Sequence, residues 1–201
     1  AGALQPLINE TEPLQEALDI YRQTFQVQWQ RTIAGKLGFF EHEPDDDQII
    51  TDLLELLTLT ETDMPIFFRL LADLNPERGN SFDSVAHFSN AYYNPESIND
   101  DYRRKLSNWS DRYAARLKRS SLDFAERKQK MNSINPKYIF RNYLAQLAID
   151  KAEQGDYSMI EELMQVLKHP YSEQPENEEF AAKRPEWARS KPGCSMLSCS
   201  S

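Results

Sequence analysis

Two cysteines, three histidines and six glycines in 201 residues leave this chain short of the usual equipment for several chemistries. No apolar run approaches the roughly 18 residues that a membrane span needs, and the opening Ala1-Gly2-Ala3-Leu4 lacks the basic and apolar regions of a secretory signal. A soluble, unexported protein is the expectation. The chain begins without Met and with helix-like patterning, as a processed chain or a piece of a longer one would. His42, His87 and His169 are scattered and none lies in an HExxH or Cys/His cluster, so a zinc site has little support. There is no Gly-rich phosphate loop, no GxSxG elbow and no recognisable Cys/His nucleophile pair. Asp123-Phe124-Ala125 resembles the metal-binding Asp-Phe-Gly of kinases only superficially, without its glycine or a catalytic-loop partner. Carboxylates are plentiful, but on polar faces where solvation is the default. These residues predict no catalytic, cofactor-binding or metal site.

A net charge of -9 argues against a general nucleic-acid binder, which needs a basic footprint to displace counterions. The charge is unevenly spread. Residues 1 to 63 hold 13 acids and 3 bases, whereas residues 102 to 130 hold 10 bases against 3 acids. The simplest reading makes the cationic stretch from Arg103 to Lys130 a set of solvated helix faces complementing the acidic first third; a phosphate or acidic-partner surface is the alternative.

Apolar residues recur at three-to-four spacing almost throughout, which predicts an all-α bundle of about seven or eight packed helices, with no strands. The first helix aligns Leu14, Leu18, Tyr21, Phe25, Trp29 and Ile33 and stops near Gly35 and Gly38. That face must find a partner. Asp45, Asp46 and Asp47 suit the positive end of a helix dipole better than a calcium loop, which would need a central Gly and a distal Glu in register. Thr62 and Pro65 open a third helix through Phe67, Phe68, Leu71 and Leu74, closed by Asn75-Pro76 and followed by a loop around Glu77 to Asn80. Another helix is expected from Phe82 toward Tyr93, and a longer one through Tyr102, Leu106, Trp109, Tyr113 and Leu117, whose aromatics read as core anchors. Asn135-Pro136 reads as an N-cap opening a helix to about Gln154, ended by Gly155; Ser158 and Glu161 read as a capping box for a last helix closed by Lys168-His169-Pro170. The expected layout is therefore a helical body over 1–170 and a Pro-rich extended tail over 171–201, tied down by Tyr171, Phe180 and Trp187.

Cys194 and Cys199 sit in that tail among Gly, Ser and the terminus, where burial is not expected and access to oxidants is easy. They are the candidate redox residues. The bland alternative is a pair of reduced thiols with no role.

A resemblance emerges from the run Asn135-Pro136-Lys137-Tyr138-Ile139-Phe140-Arg141-Asn142-Tyr143-Leu144-Ala145-Gln146, with Ala148-Ile149, Ala152-Glu153 and Gly155-Asp156 behind it. Asn108-Trp109-Ser110-Asp111-Arg112-Tyr113, His169-Pro170-Tyr171, Pro185-Glu186-Trp187-Ala188 and the terminal Ser198-Cys199-Ser200-Ser201 add to it. From about residue 14 onward the chain resembles the C-terminal region of the selenoprotein O family, whose bacterial members are called YdiU. The resemblance implies a parent protein with a kinase-like fold that binds ATP and magnesium and transfers AMP to Ser, Thr or Tyr hydroxyls of proteins, in the bacterial cytoplasm. The family's catalytic residues lie upstream of the region matched here, so none carries over, and ATP and magnesium are expected of the parent rather than of this segment. The implied partners are the missing N-terminal kinase-like domain and the parent's protein substrates, with no nucleic acid and no membrane. The resemblance places Cys199 at the family's terminal selenocysteine position. The usual partner lies three residues before it; Cys194 lies five before, so a bridge from Cys199 to a cysteine of the kinase-like part is favoured over a local one. Competing readings are a freestanding helical interaction module and a thiol oxidoreductase in its own right.

Overall fold

Eight α-helices form among the residues described in the computed structural model, which are 10–77, 82–191 and 194. In chain order they are α1 (Glu12–Lys36), α2 (Asp46–Thr58), α3 (Met64–Ala72), α4 (Ser84–His87), α5 (Asp100–Leu117), α6 (Phe124–Asn132), α7 (Asn142–Ala152) and α8 (Ser158–Lys168). The architecture is all-α. One isolated antiparallel bridge, Thr62 to Tyr92, is the sole β pairing among the described residues.

The centre of the larger core is α5, whose Tyr102, Leu106, Trp109, Tyr113 and Leu117 are all buried against α2 and α4. Removing side chains of this size from water contributes roughly 1.5–3 kcal/mol each. Their polar atoms are satisfied inside: Trp109 Nε1 donates to the Ile49 carbonyl at 2.9 Å and Tyr113 Oη to the Leu37 carbonyl at 2.8 Å. The ring of Trp109 stacks on that of Tyr113 at 5.0 Å. Burial holds the Tyr113 phenol well above its ordinary pKa, so it stays a neutral donor.

Several ends differ from the sequence expectation for local reasons. The cap of α3 is Asp63, not Thr62, because the Asp63 carboxylate accepts from the Ile66 N–H while Thr62 lies extended in the bridge to Tyr92. The helix closes at Ala72, two residues before the buried Leu74. Between Phe82 and Tyr93 the backbone breaks into α4 and a 3₁₀ turn, Ser89–Ala91, instead of one helix. Asn135 is not a helix cap. It is buried and joined to α1, its side-chain nitrogen donating to the Lys36 carbonyl at 3.0 Å and its oxygen accepting from Lys36 Nζ at 3.1 Å. The chain stays out of helix until α7 begins at Asn142, because Lys137 and Tyr138 both donate their N–H to the Pro170 carbonyl. At α8 the expected Ser158 box is absent; Ser158 is already helical and its N–H donates to the Asp156 carboxylate at 3.0 Å.

The segment beyond Pro170 packs onto α7 and α8, and Phe180, Ala188 and Cys194 share a second apolar cluster with Tyr138, Leu144 and Leu163. Phe180 is a buried anchor as expected, whereas Tyr171 and Trp187 are each 46% exposed. Two short 3₁₀ stretches, Pro175–Ala181 and Glu186–Ala188, break its extended course. The loop from Arg78 to Asn80 lies outside the described residues, as does residue 199.

On α1 the expected apolar stripe exists, but only its last turn reaches the core. Ile33 is buried, whereas Tyr21, Phe25 and Trp29 are 64%, 56% and 43% exposed. The described residues do not cover that face.

Candidate functional site

The cationic stretch resolves into ion pairs within the chain, some with the acidic first third and others with nearer carboxylates. Arg116, on the buried face of α5, donates from Nε to Asp46 at 2.6 Å and from Nη1 to Glu43 at 3.0 Å, and also bonds the Glu41 carbonyl. Arg112 pairs with Asp52, Arg119 with Glu43, Lys118 with Glu77 and Lys128 with Asp73. Arg127 is buried and donates to the Leu74 carbonyl at 2.8 Å. Arg104 and Lys105 pair with Asp101 on their own helix. Charge complementation within the chain, rather than a free anion-binding face, is what most of these side chains do.

A second set of charges fastens the C-terminal segment to the helical body. The guanidinium of Arg141 grips the Asp63 carboxylate with two nitrogens, at 2.5 and 3.1 Å, both residues being buried. The same carboxylate caps α3 and accepts from Tyr93 Oη at 3.1 Å. Burial works against the charge on Arg141, but the hydrogen bonds and charge of Asp63 outweigh it and raise its pKa. Burial, reinforced by the negative charge of Asp63, holds the Tyr93 phenol up. Around this pair Glu61 holds both Arg184 and Arg189, and Lys183 donates to the Tyr92 carbonyl.

Beside that network lies a polar hollow of about 360 Å³, whose wall includes Arg69, Lys128, Asn132, Lys137, Glu173 and Glu178. Arg69 pairs with Glu173 and reaches the Tyr171 carbonyl at 3.3 Å; Lys137 bridges Glu173 at 2.6 Å and Glu178. The hydrogen bond from Lys137 keeps the Glu173 carboxyl below its usual range. Desolvation opposes the charge on Lys137, yet its two carboxylate partners prevail and raise its pKa. The opposite charges of this hollow answer one another, so it works as a latch for the segment after Pro170. It does not offer surplus charge to a ligand.

Cys194 overturns the expectation of an exposed thiol. It is 5% exposed, its N–H bonded to the Lys191 carbonyl at 3.1 Å, and it lies in the α7–α8 cluster as a small hydrophobe. Lys191 Nζ is itself bound to Asp150 of α7 at 2.8 Å. Cys199, the other candidate, lies outside the described residues. Among the described residues no group of three or more His, Cys, Asp or Glu side chains could hold a metal ion, and no helix is long and apolar enough to cross a membrane. The described residues do not fit a magnesium–nucleotide site. Sequence reasoning missed Asp46, Asp63 and Arg141 as structural anchors. Asp46 stood hidden in a run of three acids, and nothing in the spacing of Asp63 and Arg141 links residues 78 positions apart. An apolar groove also runs between α7 and α8, lined by Phe140, Ile149, Tyr157, Ile160 and Met164 among others.

Comparison with known proteins gives the chain a family. The family described as "Protein adenylyltransferase SelO" matches residues 1–168. "Protein nucleotidyltransferase YdiU" of Rhodopirellula baltica is 46% identical over 211 aligned residues, which take in all of this chain and 39% of that protein. Proteins of the same description from Aromatoleum aromaticum and Flavobacterium johnsoniae are each 44% identical over the whole chain, which covers 38% of either. The chain thus spans about two-fifths of the length of these curated relatives. It belongs to the SelO family.

Proposed function

We propose that this chain is the helical C-terminal portion of a SelO-type protein adenylyltransferase, acting as a scaffold for a kinase-like portion that lies outside it. The observation that carries the reading is the match of the whole chain, at 44–46% identity, to two-fifths of nucleotidyltransferases. Inside the chain, charged side chains are engaged with one another, as suits a support. In the parent reaction a protein Ser, Thr or Tyr oxygen attacks the α-phosphorus of ATP. The bond to the bridging oxygen breaks, pyrophosphate leaves, and the hydroxyl proton passes to a base outside this chain. ATP and magnesium are held by the parent's other portion, in the cytoplasm. Cys199 is proposed as a thiol that bridges to a cysteine of that portion by exchange with a small-molecule disulfide, which takes the two electrons and two protons and leaves as two thiols. The burial of Cys194 makes it a poor local partner.

The test is label transfer by the full-length protein. With ATP labelled at the α-phosphate, label should appear on protein hydroxyls together with released pyrophosphate, and residues 1–201 alone should transfer none. Transfer of γ-label instead, or activity of this chain by itself, overturns the reading.

A further inference from the structure

From Glu12 to Thr32 every residue of α1 is exposed except Leu14 and Leu18, which are half-buried. At 1.5 Å per residue this is about 30 Å of helix lying outside the core. Such a helix is not self-sustaining: isolated helices are marginal even when rich in alanine, and this one carries Tyr21, Thr24, Phe25, Val27 and Trp29, all weak helix formers. At about 100° per residue, Leu14, Leu18, Tyr21, Phe25 and Trp29 fall within one stripe. Ile20 and Val27, 57% and 60% exposed, form a second stripe roughly a quarter-turn or more away. Large apolar side chains left exposed on two sides of one helix call for cover on both.

We infer that α1 is an internal docking element, covered on both stripes by the roughly three-fifths of the SelO-family polypeptide that this chain does not span. A second copy fits less well. One stripe about 30 Å long and 10 Å wide presents on the order of 300 Å² per partner, far below the roughly 800 Å² per side of a stable dimer. Twice that stripe, about 600 Å², reaches the lower bound for contacts within one chain, where covalent linkage supplies an effective concentration in the millimolar range. A single partner helix would also leave Ile20 and Val27 bare, whereas a folded portion of several hundred residues can close over both sides. The inference rests on the chain being part of a longer polypeptide, and it holds whether or not that polypeptide transfers AMP.

The experiment uses the full-length gene product, with the photocrosslinker p-benzoylphenylalanine replacing Phe25 in one variant and Val27 in another. Both should crosslink within one polypeptide to peptides outside residues 1–201, as read by mass spectrometry. Crosslinked dimers, including those through the α7–α8 groove of another copy, overturn the inference; so do crosslinks confined to residues 1–201, the absence of crosslinks, or a gene product no longer than this chain. Amide hydrogen exchange on the unsubstituted protein guards against misfolded variants: residues 12–32 should exchange within about tenfold of α5, and exchange a hundredfold faster is the refuting result. A covered α1 in a protein that transfers nothing, or a bare α1 in an active transferase, separates this inference from the functional proposal.

Discussion

Replacing Arg116 with Met keeps most of the side chain's volume and removes its charge from a position where it is 2% exposed opposite an Asp46 carboxylate that is 1% exposed. Glu43 is less affected, since it is half-open to solvent and keeps Arg119 at 2.6 Å. Asp46 retains only the Glu43 N–H at 2.8 Å among its strong partners. Breaking a buried pair by removing one member costs about 3–5 kcal/mol, because the remaining charge is left in a poor solvent. With one backbone donor still in place, the lower end applies, near 3 kcal/mol. For a protein of this size each kcal/mol moves Tm by about 2–4 °C, so Arg116→Met should lower it by about 6–12 °C. Urea melts of the unsubstituted chain, of Arg116→Met, of Asp46→Leu and of the double variant Asp46→Leu/Arg116→Met complete a thermodynamic cycle. If the cost is the orphaned carboxylate, the double variant should regain about 2 kcal/mol over the single. An Arg116→Met variant within about 0.5 kcal/mol of the unsubstituted chain, or a double variant as unstable as the sum of its parts, would refute the reasoning.

Two glycines in left-handed conformations should respond differently to alanine. Gly38, at φ +80°, has Met131 Sδ 2.8 Å and Arg127 Cγ 3.2 Å from the place a Cβ would occupy, while Gly155, at φ +84°, faces open space. Gly155→Ala should cost about 1 kcal/mol and Gly38→Ala about 2–4, by chemical denaturation; equal costs would show that packing against α6 is irrelevant. The Glu173 latch should depend on pH with a definite sign. Its folded pKa lies below the unfolded value near 4.3, so its stabilisation is present above that pH and disappears as pH falls through the folded value. Lys137, raised in the fold, contributes below its unfolded pKa near 10.4 and loses that contribution as pH rises through the folded value. Proteolytic release of the segment after Pro170 should therefore accelerate at both extremes, and Glu173→Gln should flatten the acid limb; an unchanged limb counts against the latch. Maleimide should modify Cys194 far more slowly in the native protein than in urea, and labelling at the rate of a model thiol would show that the thiol is not buried.

What the sequence made legible follows from the range of the forces involved. The α5 core could be read from Tyr102, Leu106, Trp109, Tyr113 and Leu117 because helical periodicity is a local signal, and all five are buried. The cationic stretch was readable only in part as a complement of the acidic third: Arg112, Arg116 and Arg119 pair there, whereas Lys118 and Lys128 pair with Glu77 and Asp73. Arg116 and Arg127 are buried rather than solvated. Caps were less legible. Asn135-Pro136 has the right local chemistry for a helix start, but a tertiary demand wins: Asn135 exchanges two hydrogen bonds with Lys36, and Tyr138 must enter the second core. The same competition hid the burial of Cys194, since a Ser-, Gly- and Pro-rich surrounding describes the segment and not the surface it lies on. The candidate site suffers most, because Asp63 and Arg141 are unremarkable in their own neighbourhoods and meet only through the fold.

The unpaired face of α1 is the converse case. Its sequence announced a partner, and the described structure supplies none for Tyr21, Phe25 or Trp29. In a family protein two and a half times as long, that mismatch between local pattern and available core is what a helix should show when the core it was selected for is shared with another part of the polypeptide. The same reasoning separates α1 from α5. Both are long and carry an aromatic series at helical spacing, yet α5 finds carbonyl partners for its Trp and Tyr among the described residues, whereas only the end of α1 around Ile33 joins that same core.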